Sequence, residues 1–110
     1  METDRELLEL AAKACGELMP SWYGNSDYMD GVLSRWNPLT DDGDALRLAC
    51  TLGLSVDINN AFYRTTVIYE FGDDLSEDHV SGTAAATRRA IVRAAAAIGR
   101  EKQNEASNGN

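Results

Sequence analysis

The residues best equipped for chemistry are a lone histidine, two runs of acids and a cluster of arginines. His79 directly follows Asp78 and lies two residues before Ser81. A carboxylate, an imidazole and a hydroxyl are the parts of a base-assisted nucleophile. Such a triad is set by geometry in space, not by adjacency on one loop. An exposed loop histidine is the simpler reading. Asp41, Asp42 and Asp44 form the first acidic run and suggest a divalent cation. A calcium loop of the EF-hand kind needs alternating oxygen ligands, glycine at the sixth position and glutamate at the twelfth. Counted from Asp41, Gly43 comes third and Leu52 twelfth, so that pattern fails. Capping of a helix N-terminus accounts for all three acids. Zinc is no better served, because Cys15, Cys50 and His79 have no finger-like spacing. The segment GNSDYMDG lacks the lysine and hydroxyl of a phosphate loop. No catalytic residue, metal ligand or cofactor is therefore assigned.

The second acidic run, Asp73, Asp74, Glu77 and Asp78, lies between Gly72 and Gly82. Four like charges within six residues repel one another, and the flanking glycines permit hinge conformations. The expectation is a mobile acidic loop, either a docking site for a basic partner or a solvated connector with no partner. Arg88, Arg89, Arg93, Arg100 and Lys102 supply half of the 10 bases. They form either a small anion or nucleic-acid patch or a solvated helix face balanced by the acidic loop, and the second is expected. Trp22, Tyr23, Tyr28 and Trp36 crowd one stretch, as interface anchors or as core.

The charge balance narrows the partners. With 18 acids against 10 bases the formal net charge is -8. Phosphate backbones and anionic membranes are poor partners for such a chain, and a basic protein surface is a good one. At 110 residues the chain is one domain, with a compact unit over 1–100 and a polar, disordered tail over 101–110. Residues after Arg5 enter an amphipathic pattern instead of an apolar run, so neither a secretion signal nor a membrane span is expected. A cytoplasmic protein follows, with Cys15 and Cys50 reduced and at least partly buried.

The elements that must position these residues alternate along the chain. Thr3 and Glu6 fit a capping box, and Leu7, Leu10 or Ala11, Ala14 and Leu18 recur at helical spacing. Ser21 to Leu39 reads as a β-hairpin ending at Asn37-Pro38. Thr40 to Gly53 is a second helix with Leu46, Ala49, Cys50 and Leu52 inward, closed by Gly53. Leu54, Val56 and Ile58 alternate with polar residues and predict a strand. A second strand runs from Phe62 to Phe71, with Val67, Tyr69 and Phe71 on one side. Thr83 to Ile98 is a long helix with a stripe of Ala84, Thr87, Ile91, Ala94 or Ala95, and Ile98, ended by Gly99. The order α-β-β-α-β-β-α predicts an α+β fold of three helices on a mainly antiparallel sheet of about four strands.

Three stretches carry a family resemblance: TDRELLELAAKACG at 3–16, WNPLTDDGDALRLACTLG at 36–53 and ATRRAIVRAAAAIG at 86–99. They resemble the phage ABA-sandwich domain family of small phage and prophage proteins. The resemblance covers all three helices and implies a bacterial host cell and a helix–sheet–helix layering. It implies no activity and carries over no functional residue. The function expected is that of an accessory protein that binds a host or phage protein, with a homodimer compatible with its size. Alternatives are an acidic mimic of nucleic acid that inhibits a host defence complex, and a cation-dependent hydrolase, for which carboxylates must converge in a pocket.

Overall fold

The computed structural model describes residues 2–16 and 36–108. Three helices, α1 (Asp4–Cys15), α2 (Asp42–Leu52) and α3 (Thr83–Asn108), accompany three strands, β1 (Ser55–Asn59), β2 (Arg64–Ile68) and β3 (Asp74–Asp78). A 3-10 turn, Glu70–Gly72, links β2 to β3. The fold is α+β. The strands form an antiparallel meander in the order β1-β2-β3. The hairpin expected upstream of Trp36 lies outside the described residues.

Local chemistry starts the first two helices where expected. Thr3 Oγ1 accepts the Glu6 amide at 3.1 Å while the Glu6 carboxylate accepts the Thr3 amide, the reciprocal box that satisfies two exposed donors. Asp41 Oδ2 accepts the Asp44 amide at 2.8 Å and caps α2. Gly53 closes α2 in the left-handed region at φ +66, a conformation a side chain would resist.

The inner face of α2 is only partly the predicted one, since Ala49 and Leu52 face the core but Leu46 and Cys50 do not. Ala45, Leu48 and Ala49 are buried, whereas Leu46 is 65% exposed and Cys50 is exposed. Both sets have helical spacing, and the pattern alone does not choose between them. The buried carboxylate of Asp44 does: it accepts the Asn37 amide at 2.9 Å and so turns Ala45 and Leu48 inward.

The sheet holds the largest correction. Asp73, Asp74, Glu77 and Asp78 do not form a mobile loop, because Asp74–Asp78 is a strand paired with β2 along its whole length. Leu75 and Glu77 alternate with Asp74, Ser76 and Asp78, so the acids fall mainly on solvent positions. On the inner face Val56, Val67 and Leu75 lie abreast, followed by Ile58, Thr65 and Glu77. On the outer face Asp57, Thr66 and Ser76 lie abreast, and none is buried. No described helix covers that face.

α3 is the hub. It packs on β2 and β3 on one side, on α2 on another and most extensively on α1. Ala90, Ile91, Val92, Ala94, Ala95, Ala96 and Ile98 are all buried, so the helix is enclosed nearly all round instead of along one stripe. Gly99 does not end it, and the tail expected from residue 101 is helical to Asn108. A Cβ at Gly99 would sit 1.8 Å from Leu10 O and 3.3 Å from Ala14 N, so glycine here admits α1, not a helix stop. Gly99→Ala must push the two helices apart. We expect a loss of about 3 kcal/mol in denaturant unfolding, near the upper end for overpacked cores; an unchanged midpoint would mean the helices do not approach this closely.

Candidate interaction surface

The basic residues of α3 are tied down one by one. Arg88 donates to Leu39 O at 2.8 Å and pairs with Asp42 at 2.6 Å. Arg89 pairs with Asp4 at 3.1 Å, Arg93 with Glu77, and Arg100 with Glu2. Lys102 donates to Ala14 O at 2.7 Å. Their partners are spread over the N-terminal segment, the start of α2 and β3, so the five do not gather into an anion patch. A cleft of about 670 Å³ beside β3 does bring both signs together, from Arg64 and Arg89 to Asp4, Glu77 and Asp78. There too the charges are matched, Arg64 with Asp78 at 3.2 Å and the others as above.

The acids of the first run are likewise occupied. Asp41 caps α2, Asp42 holds Arg88, and Asp44 accepts both the Asn37 amide and Arg47 at 2.8 Å. The side chain of Asn37 accepts the Leu39 amide at 3.1 Å, and Trp36 and Pro38 are buried. WNPLTDDGD is thus a folded cap in front of α2. Among the described residues no group of three His, Cys, Asp or Glu side chains gathers to hold a metal ion.

His79 is half-buried, not exposed. Its Nε2 lies 2.8 Å from Thr65 Oγ1, which lies 2.8 Å from Thr87 Oγ1. Nδ1 is buried with no hydrogen-bond partner among the described residues. The Asp78 carboxylate turns to Arg64 instead, and Ser81 makes no bond to the ring, so the proposed nucleophile is not assembled. This chain of three side chains links β2, the loop after β3 and α3 through the core. Thr65→Val leaves His79 Nε2 and Thr87 unpaired inside the protein, and unfolding measurements should show a loss of about 1–2 kcal/mol. Thr66→Val removes an equally short bond to Ser76, 2.8 Å, on the solvent face, and water replaces it at almost no cost. Equal losses in the two variants would contradict the buried link.

The four acids proposed for partner docking are divided. Glu77 turns inward to Arg93 and Asp78 is matched by Arg64, while Asp73 and Asp74 are exposed. Asp57, across the outer face, joins them as an exposed acid without an ion pair among the described residues.

What the sequence reading missed is the turn between β1 and β2. Phe62, there assigned to a strand, is 78% exposed, and its neighbour Tyr63 is 71% exposed. Tyr63 has φ +53, a region that costs a side-chain-bearing residue about 1–2 kcal/mol. Three bonds hold the turn in place. The Phe62 amide donates to Asn59 Oδ1 at 3.1 Å, the His79 amide to Tyr63 O at 2.7 Å, and Thr83 Oγ1 to Asn60 Oδ1 at 3.3 Å. The second bond brings Val80, 89% exposed, to the same end of the sheet. The pair Asn59-Asn60 signalled a turn. Because the turn is four residues, 60–63, rather than two, the aromatic pair lands on the turn.

No family model, curated protein or solved structure matches this chain. Among the described residues no helix is long and apolar enough to cross a membrane.

The two thiols separate. Cys15 is buried, and that burial raises its thiol pKa, an effect which the charge of nearby Lys102 partly offsets. Cys50 is exposed, against expectation, because α2 turns Ala49 and Leu48 inward. A thiol reagent should therefore label Cys50 at once and Cys15 only slowly. The raised pKa stabilises the fold below the ordinary thiol range, and that contribution fades as pH rises through the shifted value. Alkaline pH should accordingly destabilise the native chain more than its Cys15→Ala variant.

Proposed function

We propose that this chain is a protein-binding module that acts by docking, not by catalysis. The observation that carries this reading is the pinned aromatic turn. Two large side chains stand in solvent on a backbone held in a costly conformation by three hydrogen bonds. Rigid, exposed aromatic residues lose little entropy on binding and are common anchors of interfaces. The exposed acids Asp57, Asp73 and Asp74 favour a partner with basic residues around an apolar socket.

Membership of the phage ABA-sandwich family is part of the proposal. Its support is that the three stretches of the resemblance coincide with α1, α2 and α3. The four-stranded helix–sheet–helix sandwich and the host-cell cytoplasm go with it. A second reading, an acidic mimic of nucleic acid, draws on the outer face, where Asp57 and Asp74 share the surface with Thr66 and Ser76, although Ile68 lies abreast of Asp74 and Arg64 neutralises Asp78.

The test is a capture experiment from bacterial lysate with the native chain and with a Phe62→Ser, Tyr63→Gly double variant. Glycine tolerates the Tyr63 backbone, so the variant should be as stable as the native chain or more so by up to about 1 kcal/mol. Capture should fall at least tenfold. Retained capture with high sensitivity to salt would favour the acidic mimic, and retained capture without it would refute both.

A further inference from the structure

β1 is an edge strand: one side of its backbone pairs with β2, and no described strand pairs with the other. Beside that free side runs an apolar groove of about 490 Å³, within the range of ligand-binding clefts. Its origin is the sharp corner at Gly53, from which α2 and β1 leave as two arms. At 1.5 Å per helical residue and about 3.3 Å per strand residue, both arms run roughly 16 Å. Ala45, Leu46 and Ala49 form one wall, Val56 and Ile58 the other, and Ile91 lies in the floor. Leu46 and Ile58 are 65% and 49% exposed, although both lie on this apolar lining. The Arg88–Asp42 pair closes one end and is internally neutral.

We propose that this groove takes an extended segment of a partner protein, which adds to the sheet as a strand beside β1 and carries apolar residues alternating with lysine or arginine. The proposal rests on the reading of the chain as a protein-binding module and names a site separate from the aromatic turn. Three features fix the chemistry of the occupant. The free amides and carbonyls of β1 call for an extended backbone, the pairing mode of strand addition. Side chains on the inner face of such a strand lie beside Val56 and Ile58 and enter the groove, so they are apolar. Those on the outer face lie beside Asp57, which has no ion pair among the described residues, so they are basic. A second copy of this chain is a poor occupant. Antiparallel pairing centred on the strand sets Asp57 against Asp57, and like charges directly opposed are unfavourable. The net charge of -8 on each copy adds to that repulsion.

The probe is a blocked seven-residue peptide alternating lysine with valine and isoleucine, with a glutamate-for-lysine version as control. Amide hydrogen exchange and fluorescence anisotropy are read on the full chain. The lysine peptide should slow exchange at those amides of Ser55–Asn59 that do not pair with β2. Asp57→Lys and Leu46→Ser, both on exposed positions that leave the core intact, should each weaken it at least fivefold. Equal binding of the glutamate peptide, or binding without protection of β1, overturns the proposal. So does a free chain whose β1 edge is already protected, whether by its own residues 17–35 or, if sedimentation shows a dimer, by a second copy. Loss of peptide binding with partner capture still dependent on Phe62 would remove the groove and leave the wider reading standing.

Discussion

The closeness of α1 to α3 at Gly99 governs the rest of the structure. With Leu10 O only 1.8 Å from where a Cβ would stand, the two backbones are in direct contact. Two helices that meet this tightly leave no room for long side chains between them. Ala11 and Ala14 on α1, and Ala95 and Ala96 on α3, are buried accordingly. Small side chains remove little apolar area each, at about 25 cal/mol per Å². Stability must then come from dense contact over a long helix, with volume supplied by Leu7, Leu8, Leu48 and Val67 from the surrounding elements. A long α3 is thus a requirement of the packing, which is why it continues past Gly99 instead of ending there.

The arginines at the rim follow from the same arrangement. A helix enclosed on most sides has only narrow exits to solvent, and Arg88, Arg89, Arg93 and Arg100 use them. Each then meets an acid of a neighbouring element at the surface. Exposed pairs of this kind contribute about 0–1 kcal/mol each, less than the loss expected from one added methyl at Gly99. They orient the layers more than they hold them. They also consume the positive charge. The acids left without ion pairs, such as Asp57, Asp73 and Asp74, therefore dominate the field on the outer face of the sheet.

What could be read from the chain was whatever is decided within a few residues. The Thr3–Glu6 box, the Asp41 cap, the Gly53 stop and the alternation of β1 are local and were legible. What depends on distant neighbours was not. Gly99 looks like a helix end in isolation, and only Leu10 explains it. Both Ala45 and Leu46 fit a helical stripe, and the Asn37 bond to Asp44 chooses between them. The acids of β3 suggested a loop, since repulsion is visible in sequence while the pairing with β2 is not. The residues that carry the resemblance lie in and around the helices, and none falls on β1 or on the turn after it, where the candidate docking features lie.

The turn at Tyr63 is the point where local preference and structure disagree most. Asn59 and Asn60 tolerate the left-handed region well, yet that conformation falls on Tyr63. The His79 amide fixes it, bonding Tyr63 O at 2.7 Å, while the ring of His79 is held by Thr65 inside the core. The orientation of the exposed aromatic pair is thereby coupled to a fully buried hydroxyl on β2. A merely solvated turn needs no such support, because a glycine at this position would adopt the same backbone without strain. Strain held in place from the core and spent on exposing apolar surface is more consistent with a surface that is covered in use.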